Sequence, residues 1–193
     1  MSLNHPNLKD HIFKYDLLPE WKCDAAKHQV IEKDDWRTHL WYSNTNKRVD
    51  VDEQSELQWT LDEVAQSWIQ PHMEDLFGAF HEEYHDPENT NSETFWENNS
   101  QIKFNKYSVG DYLSPHHDHI RDLFQGDFRG IPVTSVVGVL NDDFEGGEFV
   151  FWREHTVKIE KGQVLAFPSS YLFPHEVTPV TSGVRYSWIT WIV

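Results

Sequence analysis

Cysteine is nearly absent from this chain. The single Cys23 excludes an intrachain disulfide, so packing and hydrogen bonds must hold the fold. Basic residues are scarce as well: 16 Lys and Arg stand against 32 Asp and Glu, a formal net charge of −16. Such a surface repels phosphate backbones and anionic headgroups, which argues against nucleic acid or a membrane as the partner. Long apolar runs are missing, and none approaches the ~20 residues a membrane span needs. Residues 1–5 have no basic region followed by an apolar run, so they do not read as a secretory leader, and the cytoplasm is the expected compartment. In that setting the Asn98-Asn99-Ser100 sequon carries no weight. There is no Gly/Ser linker and no internal repeat, so residues 1–193 read as one domain.

Aromatic residues, by contrast, are plentiful. Twelve Phe, nine Trp and seven Tyr supply much of the burial available to a globular core. Residues 1–100 read as a mixed support region. They offer a strand at 11–15, a helix at 19–26, a strand at 39–42 and an acidic loop at 85–100. The strongest helix signal follows Thr60, which forms a capping-box pattern with Glu63. Leu61, Val64, Ala65, Trp68, Ile69, Met73, Leu76, Phe77 and Phe80 then recur at helical spacing. Pro71 interrupts the run and predicts a kink or two abutting helices.

From residue 101 the pattern changes to short strands between turns, at 101–109, 112–119, 133–141, 148–153, 156–159, 163–167, 175–180 and 185–192. Roughly eight short strands predict a β-sandwich or barrel of the jelly-roll kind. The class is mainly β with flanking helices, the helix near residues 60–84 lying outside one sheet.

Ser114-Pro115-His116-His117-Asp118-His119 concentrates metal-capable side chains. On a strand alternate residues share a face, so His116 and Asp118 point one way and His117 and His119 the other. His175 follows Phe173-Pro174 at the start of a later strand and supplies a third donor. Two imidazoles and one carboxylate leave adjacent positions open on an octahedral metal, which suits non-haem Fe(II) oxygenases. A solvated His cluster on an acidic surface is the competing reading. Arg185 lies ten residues after His175, beyond the turn at Ser182-Gly183, among Val184, Tyr186, Trp188 and Ile189. A buried arginine requires an anion, and its planar fork can clasp a carboxylate through two bonds. Ser187, on the same strand face, can donate to that carboxylate. Tyr107, nine residues before His116, can reach it through its hydroxyl or simply belong to the core.

In order along the chain stand Tyr107-x-x-Gly110, Pro115-His116-x-Asp118, Leu140-Asn141-Asp142, Gly146-Gly147-Glu148, Phe167-Pro168, His175 and Gly183-x-Arg185-Tyr186-Ser187. As an ordered set, residues 101–193 resemble the prolyl 4-hydroxylase-like branch of the Fe(II)/2-oxoglutarate oxygenases. The resemblance implies a double-stranded β-helix. It implies iron on His116, Asp118 and His175, and 2-oxoglutarate on Arg185, with Tyr107 and Ser187 alongside. O2 would be the co-reactant and ascorbate an optional reductant, with succinate and CO2 released as a C–H bond is hydroxylated. Trp191, six residues after Arg185, stands where a tryptophan lines the substrate entrance in some relatives. Tyr112 and Arg121 are further substrate-side candidates.

Two positions depart from the prolyl hydroxylase pattern. Leu113 stands where a tyrosine is frequent, with Tyr112 one place off, and Phe149 stands where threonine is frequent. Both loosen the extension to proline, so the implied substrate is a prolyl residue, another peptide or a small amino-acid-like molecule. The loop 121–130, with Gly126 and Gly130 as hinges, reads equally as a lid over the site or as a solvated loop. Alternative readings are a nucleic-acid demethylase of the same superfamily and a non-catalytic, cupin-like metal-binding module. Trp191, where demethylases usually carry a second arginine, and the charge of −16 count against the first, and Arg185 counts against the second.

Overall fold

The computed structural model describes residues 7–42, 48–49, 57–84, 98–118 and 131–193. The anticipated 121–130 lid, Arg121, His119 and most of the 85–100 loop lie outside the described residues. The strands in the first part of the chain are β1 (Phe13–Asp16), β2 (Arg37–Thr38), β3 (Trp41–Tyr42), β4 (Arg48–Val49) and β5 (Gln58–Thr60). Next come β6 (Lys103–Tyr107), β7 (Leu113–His116), β8 (Thr134–Val139), β9 (Phe144–Gly146) and β10 (Phe149–Phe151). The last are β11 (His155–Val157), β12 (Gln163–Pro168), β13 (His175–Val177), β14 (Val180–Gly183) and β15 (Arg185–Ile192). The helices are α1 (Glu20–Ile31), α2 (Glu63–Ile69) and α3 (Met73–Tyr84). No helix among the described residues is long and apolar enough to cross a membrane.

A seven-stranded sheet runs β1-β12-β8-β15-β6-β5-β2, and a four-stranded sheet runs β11-β10-β13-β7. The small pair β14-β9 accompanies them. Together they form the jelly roll that the strand spacing predicts, a double-stranded β-helix. The short β1, β2 and β5 widen the large sheet, so the N-terminal region contributes strands as well as helices.

Alternation along the large sheet separates two layers. On β15, Trp188 and Ile192 point outward and join Phe104, Val136, Val164 and Ala166 beneath the helices. Those helices answer with Cys23, Ala26 and Val30 from α1, Ala65 and Ile69 from α2, and Met73, Leu76 and Phe80 from α3. Each set recurs three or four residues apart, so one stripe of each helix is buried. Full burial of a Leu, Met or Phe side chain stabilises by about 1.5–3 kcal/mol. The inward residues of β15 are Arg185, Ser187, Ile189 and Trp191, and they face the interior of the jelly roll. A second apolar cluster there gathers Phe149, Phe151, Phe167, Phe173 and Val177 around the site.

Three local expectations are corrected. Asp62, not Thr60, caps α2, its carboxylate accepting from the Ala65 N–H at 2.7 Å. Thr60 instead belongs to β5 and donates its hydroxyl to Asp35 at 2.8 Å. The strand expected over 148–153 stops at Phe151, because Trp152 (φ 53°) and Arg153 (φ 62°) enter the left-handed region and close a tight turn. That turn is sealed by Glu154 N–H to the Phe151 carbonyl at 3.0 Å. Two such non-glycine residues in succession cost on the order of 1–3 kcal/mol each. Finally, the strand expected over 112–119 ends at His116. Pro71 does break the helix: a short 3-10 turn, Gln70–His72, separates α2 from α3.

Candidate metal centre and cosubstrate pocket

β7 and β13 are antiparallel neighbours, and His116 and His175 are direct partners across them. Their rings lie 4.2 Å apart, centroid to centroid. Asp118, two residues past β7's last paired residue, turns back toward them. Its Oδ1 lies 3.4 Å from His116 Nε2 and 3.9 Å from His175 Nε2. One donor atom from each of the three falls within 4.8 Å of the others, a spacing that could hold a metal ion. His117, the neighbour that alternation turns away, is exposed.

The atoms flanking the centre set its chemistry. His116 Nδ1 lies 2.8 Å from the Ser114 carbonyl, and His175 Nδ1 lies 3.0 Å from the Phe173 carbonyl. A carbonyl only accepts, so each Nδ1 carries a proton and each ring turns its Nε2 toward the centre. Asp118 Oδ2 accepts from the Ser135 hydroxyl at 2.6 Å, and Ser135 is in turn 2.8 Å from Ser169 Oγ. This leaves Oδ1 for a cation. Burial alone would push the Asp118 carboxyl up, but His175, His116 and Ser135 together hold it well below the usual carboxylate range. Burial lowers His175 to about 4 despite Asp118 beside it. At neutral pH His175 is therefore a neutral imidazole beside the Asp118 carboxylate, and with His116 the two make a nitrogen and oxygen donor set that fits Fe(II).

Ser135 and Ser169 are contributors that the sequence reading missed. The signal was present, since Thr134-Ser135 is a polar pair opening an otherwise apolar strand. Hydrogen-bonded partners of ligands typically account for 10–100-fold in metal affinity. Ser135→Ala is expected to weaken Fe(II) binding by about that factor and leave the fold intact, as read by anaerobic metal titration and by circular dichroism. Unchanged affinity would show that Asp118 is held by the backbone alone.

Arg185 opens β15 on the same inner face and is only 2% exposed. Its Nη1 donates to Ser187 Oγ at 2.8 Å, and its guanidinium lies 5.0 Å from the Tyr107 ring centroid, Tyr107 being its partner across β6. Among the described residues no carboxylate pairs with it. Burial pulls its pKa below the usual range, with the contact to Tyr107 opposing. A buried cation supported by a hydroxyl and a phenol, but lacking an anion, fits the distal carboxylate of 2-oxoglutarate. Neighbouring features position it. Asn141 accepts from the Tyr186 N–H at 2.7 Å and donates to the Val184 carbonyl at 2.7 Å, pinning the backbone on either side of Arg185. Gly147 (φ 62°) is needed because a Cβ there would fall 2.8 Å from Arg185 Cδ.

Other candidates spread around this core. Phe149 stacks on the His175 ring at 4.9 Å and 16°, so this departure from the prolyl hydroxylase pattern forms an apolar wall behind a ligand. Trp191 lies on the inner face opposite Ser135. Tyr112 is half-buried just before β7. A hollow of about 430 Å³, walled by Pro115, Trp152, Arg153 and Glu176, adjoins His116 and His175.

A double-stranded β-helix carrying two histidines, one carboxylate and a buried basic anchor defines the class of non-haem iron oxygenases. The comparisons agree: residues 102–193 match the family model of the 2OG-Fe(II) oxygenase superfamily. A PKHD-type hydroxylase of Idiomarina loihiensis is 35% identical over 96 residues, covering 48% of this chain and 42% of the relative. The chain thus spans about two fifths of the length of such curated relatives. In fold it is similar to the viral collagen prolyl hydroxylase of Paramecium Bursaria Chlorella virus-1, solved as a 2OG complex. That likeness has a TM-score of 0.62 and 18% identity, and covers 94% of each chain. It is also similar to a prolyl hydroxylase from Trichoplax adhaerens, solved with a hypoxia inducible factor peptide fragment. There the TM-score is 0.67 with 16% identity, covering 94% of this chain and 83% of that one.

Proposed function

We propose that this chain is an Fe(II)- and 2-oxoglutarate-dependent hydroxylase acting on a prolyl residue, another peptide side chain or a small amino-acid-like molecule. One observation carries the reading: Arg185, buried with no acid partner among the described residues, lies on the inward side of the large sheet, while His116, Asp118 and His175 come together at the facing four-stranded sheet. A metal site alone would not require that arginine. In this reading His116, Asp118 and His175 hold the iron on one side, and the opposite side stays free for 2-oxoglutarate and O2. When bound, iron and 2-oxoglutarate supply the oxidising chemistry, in which the cosubstrate leaves as succinate and CO2 and the substrate gains a hydroxyl. Arg185 and Ser187 hold the distal carboxylate, and the Tyr107 hydroxyl lies beside them. Phe149, Phe151 and Phe167 surround His175 and exclude water from that side of the centre. A prolyl target is supported by the prolyl hydroxylases among the structures of similar fold, while Phe149 and Leu113 leave room for other side chains.

The experiment is turnover of 2-oxoglutarate in the purified chain with Fe(II). Succinate is expected at a low basal rate without substrate and at a higher rate with one, and a peptide and amino-acid panel is then searched for a mass gain of one oxygen. Iron binding without any succinate would favour the non-catalytic module instead.

A further inference from the structure

β6 carries a second cation on the inner face. Lys103 is Ile189's partner across β15 and shares its face with Asn105 and Tyr107. Its ammonium lies 5.3 Å from the Trp59 ring centroid and 5.2 Å from that of Trp191. Arg37 stacks on the same Trp59 at 5.0 Å. On the sheet the cluster lies next to the metal ligands, because Trp191 pairs with Ser135, the residue whose hydroxyl holds Asp118. Two cations and two indoles thus converge beside the candidate metal centre, in a chain whose net charge is −16.

None of the described carboxylates forms an ion pair with Lys103 or Arg37. The acid whose field reaches Lys103 is Asp118. That carboxylate is already committed, Oδ2 to Ser135 and Oδ1 to the metal position it shares with the two histidines. Burial pulls the Lys103 ammonium below its usual pKa, with Asp118 opposing, so it is poorly solvated and stands to gain from an anion. Aromatic faces stabilise a cation but cannot neutralise it. Lys103 is also separated from Tyr107, and hence from the Arg185 anchor, by four residues of strand, about 13 Å.

We propose that Lys103, clamped between Trp59 and Trp191 and backed by Arg37, is the anion anchor of the substrate site, so that the molecule oxidised presents a carboxylate beside the reacting C–H. This rests on the hydroxylase reading and specifies its substrate class. The carboxylate docks on the ammonium, the two indoles wall the remainder, and the adjacent carbon is held toward the iron. A protein that repels anions over most of its surface needs a local cation to hold an anionic substrate.

The test uses protein loaded with Mn(II) and 2-oxoglutarate, titrated with N-acetylated dipeptides bearing a free C-terminal carboxylate and with their carboxamides. Binding is followed by tryptophan fluorescence and by calorimetry. Wild type is expected to prefer the acids by about tenfold or more, the usual worth of one charge-assisted hydrogen bond. The preference should collapse in Lys103→Gln and return in Lys103→Arg. Equal binding of acid and amide, failure of both to bind, or a preference that survives in Lys103→Gln would overturn the proposal. So would a weakened affinity for 2-oxoglutarate in Lys103→Gln with the acid preference intact. Wild type that prefers acids yet makes no succinate with Fe(II) would instead remove the hydroxylase reading and leave the anchor standing.

Discussion

Asp118→Asn is expected to fold, to lose Fe(II) and to produce no succinate. The amide keeps the side chain's shape and can still accept from Ser135, so the packing around β7 and β13 is preserved. It removes the negative charge of the set and offers the metal only a neutral oxygen. The loss should exceed the 10–100-fold typical of an outer hydrogen-bond partner, because a donor atom itself is altered. Anaerobic Fe(II) titration and a succinate assay measure both effects on one preparation. Retained iron with retained turnover would move the metal centre away from Asp118 altogether.

The same trio makes the metal-free protein sensitive to acid. Folded His175 titrates near 4, whereas an unfolded histidine titrates at its ordinary 6.5. Between those values the unfolded chain takes up a proton that the folded chain refuses, so protonation favours unfolding. Stability attributable to His175 is therefore complete above about pH 6.5 and falls as the pH drops toward 4. Bound metal should oppose the loss, since it occupies the Nε2 that protons compete for.

Which parts of this arrangement were legible in the sequence follows from what each face of the large sheet packs against. On β6 the apolar residue Phe104 points outward under the helices, while Lys103, Asn105 and Tyr107 point into the cavity. The same inversion holds on β15, where Trp188 and Ile192 lie outward and Arg185 and Ser187 inward. Period-two alternation therefore located the strands and put Arg185 and Ser187 on one face. It could not show that the polar face was the enclosed one, and so Lys103 went unnoticed. His116 and His175 were legible because each sits on a strand with a fixed neighbour. Asp118 was selected by alternation, yet it lies beyond the end of β7 and is oriented by Ser135, a contact between residues 17 apart. Strands of two to four residues such as β1, β2 and β5 carry too few side chains to show a period, so the N-terminal half of the sheet was not readable. The Trp152-Arg153 turn runs against local preference, since glycine or asparagine is favoured at positive φ.

Arg185→Met should separate stability from function in opposite directions. Without cosubstrate, the guanidinium is a buried cation bonded to a hydroxyl and a phenol, and its desolvation is only partly offset. Replacing such a charge by an apolar side chain of similar length is often neutral or stabilising, by about 1–4 kcal/mol. The metal-free, cosubstrate-free variant should therefore melt at the same temperature as wild type or higher. Iron binding should persist, because His116, Asp118 and His175 are untouched. The affinity for 2-oxoglutarate should fall by about 100-fold or more, given roughly 1.5–3 kcal/mol for each of two charge-assisted hydrogen bonds. Thermal unfolding with and without 2-oxoglutarate makes the contrast visible: a cosubstrate-dependent rise in wild type, a higher or equal baseline and almost no rise in the variant. A variant less stable than wild type but still stabilised by 2-oxoglutarate would make Arg185 a structural residue and place the dicarboxylate elsewhere.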